Sequence, residues 1–302
     1  MANTNTKTKP IQKILQVRTY VLFSLLAALL LVIANSAIWF NNYIFDGNNF
    51  TQLTTQALEK ESSRNAIASE ITDRLLQNRP TLKGVVDEPV TKLTSGLLGS
   101  NVAGNALNKT VSQFQVIITS KNPQDVSFDL TSIKQPLSQV LATAGTITGR
   151  DVSQAETRVE NVPDTITIVH ADNLPNIYRL GVVLLWVAPL ATLAAGIILV
   201  YLIYRARYSR RTSATVLATE GGIIALAGLF ALALGPIFKP TILANVPNEN
   251  MRVVVENIYQ TFIAKFNAQS EILFVIAALL LIAAVIVFWA KPIASRITAK
   301  RA

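Results

Sequence analysis

The sequence contains no cysteine, which excludes disulfide bonds, thiolate-bound zinc and iron–sulfur clusters. Charged residues make up only 15% of the chain, whereas soluble proteins carry about 25%. There is a single histidine, His170, which has no second His or Cys with which to share a metal ion. With 51% hydrophobic residues, this composition is typical of a membrane protein.

Catalytic and nucleotide-binding motifs are also missing from the sequence. It contains no Gly-rich Walker loop, no G-x-G-x-x-G turn, no H-E-x-x-H pair and no G-x-S-x-G elbow. We therefore predict no catalytic residue, no cofactor, no metal site and no enzymatic activity.

Four long apolar stretches are present, and each is long enough for a membrane span. A bilayer core about 30 Å thick requires about 20 apolar residues in a helix. Backbone polar groups in lipid must be satisfied within the segment, so each stretch is predicted to be helical. The stretches are Tyr20 to Phe40, Leu180 to Tyr204, Ala214 to Phe238 and Ile272 to Ala290.

The distribution of charge predicts the orientation of these spans. The N-terminal tail, the loop at 205–213 and the C-terminal tail together hold 12 basic residues and no acidic residue. The segment from Asn41 to Tyr178 holds 11 basic and 14 acidic residues. Because basic residues accumulate on the cytoplasmic side, we predict cytoplasmic termini in a multi-pass protein of the cell (plasma) membrane. The net charge of +9 therefore indicates contact with anionic lipid headgroups and not with nucleic acid.

The first span has one alternative interpretation. A basic tail, an apolar run and the small residues Ala34 and Ser36 also occur in cleaved signal peptides. The apolar run is longer than the usual 7 to 15 residues of such peptides, which favours an uncleaved anchor.

The segment between the first two spans has the length of a small domain. Helical stripes are indicated by apolar residues at every third or fourth position, among them Ile67, Val90 and Val111. Residues 126–130 and 165–169 alternate apolar and polar residues, and we predict two short strands that pair with one another. The predicted fold class is therefore membrane all-α, with four transmembrane helices and an extracytoplasmic, mostly helical α+β domain.

The second outer segment is shorter and amphipathic. Val255, Tyr259, Phe262 and Phe266 share one face of a predicted helix. This helix would lie on the membrane surface or pack against the larger domain, and packing is favoured.

These observations predict the following organisation: a cytoplasmic tail at 1–19, transmembrane helix 1 at 20–41, an extracytoplasmic domain at 42–176, transmembrane helix 2 at 177–204, a cytoplasmic basic loop at 205–213, transmembrane helix 3 at 214–238, a short extracytoplasmic segment at 239–270, transmembrane helix 4 at 271–290 and a cytoplasmic tail at 291–302.

Three stretches carry a resemblance to a protein family. They are Phe45 to Leu76, Val126 to Leu130, and Asp164 to Leu190. With the order of its segments, the chain resembles a group of uncharacterised four-span integral membrane proteins best known from actinobacteria. The resemblance implies the architecture, with a large extracytoplasmic domain between the first two spans, and implies no activity.

Glu220 is the one candidate functional residue, because an ionisable group inside a span is costly and often functional. Gly221 and Gly222 follow it and allow close approach of another helix. Arg205 or Arg207 is a candidate partner. The favoured alternative is an interfacial Glu near Arg211, packed or reaching water near the cytoplasmic face.

Three function hypotheses remain at the level of sequence. The first is a non-enzymatic membrane protein whose extracytoplasmic domain mediates binding, sensing or assembly at the cell envelope, through a protein partner or self-association. The second is a small transporter or channel that uses Glu220. The third is a membrane enzyme that acts on lipid-linked or wall substrates with two convergent acidic or hydroxyl groups.

Overall fold

The structure is a computed structural model that describes residues 8–76, 80–123, 125–129, 131–149, 153–161, 164–169, 176–206, 210–246 and 248–299. The chain divides into two compact units. The span unit consists of Met1–Trp39, Val183–Gly235 and Phe266–Ala302. The connecting unit consists of Phe40–Val182 and Pro236–Lys265.

Helices dominate the described residues. A π-helix at Asn41–Phe45 follows the first α-helix directly. The α-helices are α1 (Thr8–Phe40), α2 (Gly47–Leu58), α3 (Glu61–Leu76), α4 (Pro80–Leu98), α5 (Asn101–Thr119), α6 (Thr131–Thr148), α7 (Ser153–Asn161), α8 (Tyr178–Ala206), α9 (Arg210–Ala244) and α10 (Glu249–Ala299).

Four of these helices are long and apolar enough to cross a membrane, as the sequence predicts. These four candidate spans indicate a membrane protein. They are Thr19–Phe45, Tyr178–Ala206, Arg211–Ala244 and Glu249–Trp289.

Two helices extend beyond the spans predicted from the sequence. The predicted third span ends at residue 238, but α9 continues to Ala244 with Pro236 and Pro240 inside it. Proline is tolerated in transmembrane helices when neighbouring groups satisfy the freed carbonyls. The predicted fourth span, residues 271–290, lies within α10, so the predicted amphipathic segment and this span belong to one helix.

Small residues line the buried stripe of α9 in the span unit. Its buried positions recur at intervals of three and four residues, a period of 3.5 that is typical of closely packed helix pairs. These positions are Ala214, Leu217, Gly221, Ile224, Gly228 and Ala231, and the side chains of Val216 and Glu220 are buried beside them. A Cβ atom added at Gly221 would lie 2.8 Å from Cγ of Leu281 and 3.0 Å from the carbonyl oxygen of Ala277. The glycine therefore allows α9 to pack directly against α10.

The connecting unit has a hydrophobic core of its own. Val90 of α4, Leu141 and Ala144 of α6, and Val159 of α7 are buried together. The helical stripes predicted through Val90 and Val111 are confirmed, since both side chains are buried in α-helices. Helix α7 is not among the elements predicted from the sequence.

Two short strands are the only extended elements in the described residues. Strands β1 (Val126–Asp129) and β2 (Thr165–Val169) pair in antiparallel orientation, with Ser127 opposite Thr167. This pairing matches the predicted partners. A two-stranded ladder does not bury a face by itself, so the predicted α+β class is not supported and the unit is essentially helical.

The first part of α10 packs within the connecting unit, which is the favoured of the two predicted positions. The ring of Phe262 is buried and lies 5.5 Å from that of Phe50 in α2. The side-chain amide of Asn257 donates hydrogen bonds to Ser62 and Ser63 of α3, at 2.8 and 2.9 Å.

Candidate functional site

Glu220 lies on the buried stripe of α9, and its side chain is 1% exposed. Its position follows from the helical period, because it stands four residues before Ile224, which is also fully buried. The carboxyl group is therefore packed inside the span unit and does not reach water. The structure thus shows a packed carboxyl group, and a functional role for Glu220 stays a prediction.

The hydrogen-bond partner of Glu220 is Ser24 of α1. The Ser24 hydroxyl is hydrogen-bonded to Oε1 of Glu220, and its oxygen also lies 2.8 Å from the carbonyl oxygen of Tyr20. Ser24 is itself buried. Sequence reasoning missed this residue, because a serine within an apolar run is common and 196 positions separate it from Glu220.

The predicted arginine partners do not meet Glu220 in the described residues. Arg205 donates a hydrogen bond of 2.6 Å to the Tyr201 hydroxyl in its own helix. Its guanidinium also lies over the Tyr201 ring, 6.0 Å from the ring centre. Arg207 lies outside the described residues. Arg205 is thus held at the end of α8 by a contact within that helix.

The second carboxyl oxygen of Glu220, Oε2, is buried and has no hydrogen-bond partner among the residues that the structure describes. An ionised carboxylate left in this state carries a large desolvation cost. The group therefore differs from an ordinary structural ion pair, and it remains the strongest candidate for a functional residue in the spans.

A second polar cluster in the span unit joins α1 to α10. The Asn35 amide donates to the Ser270 hydroxyl at 3.0 Å. The Gln269 amide donates to the backbone and side-chain oxygens of Asn35, at 2.7 and 3.0 Å. These groups satisfy one another's hydrogen bonds, so the cluster holds α1 against α10 and is not an open binding site. The only sequence signal for it is an amide within the first apolar run.

Polar contacts also line the boundary between α3 and α10 in the connecting unit. Asn248 donates to Glu70 at 2.7 Å, and Lys60 donates to Thr261 at 3.1 Å. Together with the bonds from Asn257, they form a row that we call the α3–α10 seam. Its members are Lys60, Ser62, Ser63, Glu70, Asn248, Asn257 and Thr261.

The surface of the connecting unit carries isolated ion pairs. Lys92 lies 2.6 Å from Glu88 on α4, and this hydrogen bond and charge hold the pKa of the Glu88 carboxyl below its usual value. The stabilisation is present at neutral pH and is lost as the pH falls through the titration of that carboxyl. Because both side chains are exposed, the contribution to stability is small.

The described residues contain no candidate metal centre. No group of three or more His, Cys, Asp or Glu side chains that could hold a metal ion comes together there. His170 lies outside the described residues.

No family model, curated protein or solved structure matches the chain. The resemblance to four-span actinobacterial proteins stays a prediction, and the functional argument depends on the contacts described above.

Proposed function

We propose that this chain is a non-enzymatic membrane protein whose connecting unit binds a partner at the outer side of the cell membrane. In this proposal both termini and the loop at 205–213 are cytoplasmic. The partner is a protein, an envelope component or a second copy of the chain.

The observation that supports the proposal is the independent core of the connecting unit. Val90, Leu141 and Val159 are buried in helices far apart in sequence, which is the organisation of a folded domain and not of a linker. The work of the protein outside the bilayer is therefore assigned to the connecting unit.

Helix α6 offers the surface on which we base the test. Its buried side holds Leu141 and Ala144, whereas Gln139, Thr143 and Thr146 are exposed on the opposite side. Ile147 continues this face and is 65% exposed. A polar, hydroxyl-rich face that ends in an exposed apolar residue suits a modest protein contact.

Because the sequence has no cysteine, a single introduced cysteine gives a site-specific crosslinking test. A Thr143→Cys variant carrying a thiol-linked photo-crosslinker is illuminated in native membranes, and its products are separated and identified by mass spectrometry. We expect one discrete product, either a heteromeric complex or a dimer. An Asn105→Cys variant serves as the matched control, because Asn105 is an exposed residue of α5 in the same unit.

Two outcomes contradict this proposal. One is a crosslinking pattern that is the same from positions 143 and 105, because it would reflect random collision. The other is the absence of any discrete product from positions 139, 143 and 146 under conditions in which lipid adducts form.

A second candidate function, a small transporter or channel, is favoured by one observation, the burial of Glu220 in the span unit. If the carboxyl group carries ions, a Glu220→Gln variant in liposomes should lose the proton or cation flux of the wild-type protein. Unchanged flux in the variant, or no flux in the wild type, rejects this function.

A further inference from the structure

The Ser24 hydroxyl lies between two oxygen atoms that compete for its single proton. One is the carbonyl oxygen of Tyr20 at 2.8 Å, and the other is Oε1 of Glu220. A serine hydroxyl donates one hydrogen bond, whereas a backbone carbonyl and an ionised carboxylate only accept. A single proton shared between the two acceptors leaves each hydrogen bond weak. One more proton would satisfy the arrangement fully.

Only the Glu220 carboxyl can supply that proton among the three groups, because a protonated carboxyl becomes a donor. We propose that Glu220 and Ser24 form a proton-binding site inside the span unit. In the site, the Glu220 carboxyl carries a proton and donates it to Oγ of Ser24. Ser24 in turn donates to the carbonyl oxygen of Tyr20, so that both donors in this series of hydrogen bonds have an acceptor.

The surroundings of the site fit a neutral acid. Val216 of α9 forms a buried apolar cluster with Leu202 and Ala206 of α8. Tyr20 of α1 packs against this cluster. On α10, the residues that face neighbouring Gly221 are Ala277 and Leu281, and neither is titratable.

The titratable groups that the structure describes next to this apolar cluster are Tyr20 on α1, and Tyr201 and Arg205 on α8. The Arg205 guanidinium is engaged with Tyr201. No ion pair joins Glu220 to a Lys or Arg side chain that the structure describes. A neutral carboxyl also tolerates the unpartnered Oε2 far better than a carboxylate does.

A proton suits the site better than a metal cation. Calcium takes about six to eight oxygen ligands and magnesium takes an octahedral set. The described oxygens here are the two carboxyl oxygens, one hydroxyl and one helical carbonyl that already accepts from Ser24. This set is too small for either metal but sufficient for one proton.

Loss of the proton has a defined structural consequence. When the Glu220 carboxyl releases its proton, the single Ser24 proton is left between two acceptors, and one contact must break. If Ser24 turns toward Tyr20, the direct polar contact between α1 and α9 is lost. Occupancy of the site by a proton is thus coupled to the packing of these two helices. The inference does not depend on partner binding by the connecting unit, nor on net ion transport.

Infrared difference spectroscopy on the full chain in lipid tests the site. The spectrum of the wild type minus that of Glu220→Gln at neutral pH should contain the C=O stretching band of one neutral carboxyl, and that band should disappear at alkaline pH. A Ser24→Ala variant keeps the carboxyl and removes its acceptor. Its band should move to higher frequency, as for a carboxyl that has lost a hydrogen bond.

Dicyclohexylcarbodiimide in membranes provides a chemical test of the same proton. A protonated carboxyl adds across the carbodiimide to give an O-acylisourea, which rearranges to a stable N-acylurea with no leaving group. The peptide with Glu220 should gain the mass of one carbodiimide, whereas the peptide with exposed Glu271 should not. Circular dichroism verifies that each variant is folded.

The infrared result decides the proposal. A carboxylate band in place of the neutral-carboxyl band at neutral pH overturns it, whatever the labelling shows. If Glu220→Gln fails to fold, a band in the wild type that does not shift in Ser24→Ala overturns it as well. Failure of partner crosslinking or of liposome flux leaves this result unaffected, so the three proposals are tested separately.

Discussion

At the residue scale, two adjacent glycines on α9 have opposite surroundings. A Cβ atom at Gly221 would lie 2.8 Å from Cγ of Leu281 and 3.0 Å from the carbonyl oxygen of Ala277, closer than van der Waals contact, whereas a Cβ atom at Gly222 would have no neighbour within 4 Å. Gly221→Ala should therefore push α9 away from α10 and cost about 1–3 kcal/mol in the free energy of unfolding. Thermal unfolding in bicelles measures this loss.

Gly222→Ala is the matched control for this prediction. The same methyl group is added one position away, in a helix where alanine is preferred to glycine by about 1 kcal/mol. We expect an unchanged or slightly higher Tm. Equal losses for the two variants would contradict the close contact of α9 with α10 at Gly221.

The amide of Asn35 supports the second residue-scale prediction. Asn35→Ala removes the bond to Ser270 and one of the two bonds from Gln269, because the other is accepted by the backbone oxygen, which alanine keeps. Interhelical hydrogen bonds in membranes contribute on average about 0.6 kcal/mol each, so we expect a loss of about 1–2 kcal/mol. Unfolding with denaturing detergent measures it.

Thr192→Ala provides the comparison for Asn35, because the Thr192 hydroxyl bonds the carbonyl of Ala188 within its own helix. It should cost far less than Asn35→Ala. A loss at Asn35 no larger than that at Thr192 would show that the cluster does not join α1 to α10.

At the element scale, the α3–α10 seam yields a prediction about local opening. Asn257→Ala removes two hydrogen bonds to Ser62 and Ser63, and each such bond contributes about 1 kcal/mol. Hydrogen exchange should therefore become faster in α3 and in the first part of α10. Mass spectrometry of peptides from the exchanged protein gives the rates.

Gln260→Ala tests whether this effect is specific to the seam. Gln260 is exposed on the same helix and donates to Glu256 one turn earlier. We expect unchanged exchange in α3. If both variants accelerate hydrogen exchange in α3 equally, the cause is a change in the helix propensity of α10 and not the loss of its contact with α3.

The sequence predicts helices and strands where the periodic pattern of apolar residues is strong. The patterns at 126–130 and 165–169 are too short to fold alone, yet residues 126–129 and 165–169 form strands that pair. The continuation of α9 beyond residue 238 was not predicted, because Gly235 and Pro236 together are typical of a helix end. A long apolar helix tolerates the missing amide hydrogen of a proline, and α9 continues through Pro236 to Ala244.

At the scale of the whole molecule, the charge distribution predicts that α6 and the start of α9 lie on opposite sides of the membrane. Gln139→Cys and Thr212→Cys each place a single thiol at an exposed position. A membrane-impermeant maleimide should label position 139 in intact cells, and position 212 only after the cells are opened. Labelling of both positions from the same side would contradict the predicted topology.

The spans and helical stripes were determined by the sequence alone. A run of about 20 apolar residues in lipid satisfies its backbone only as a helix, whatever its neighbours are. The choice of Glu220 as a candidate also needed no structure, because a lone carboxyl in an apolar run is costly wherever it packs.

Only the tertiary structure decided what these residues meet. Ser24 and Glu220 lie 196 positions apart, and nothing in their local sequence selects one for the other. The same holds for Asn35 with Ser270, and for the difference between Gly221 and Gly222. Periodicity determines which face of a helix is buried, whereas the rotation and depth of its neighbours determine which atoms touch, and those depend on the packing of all the helices together.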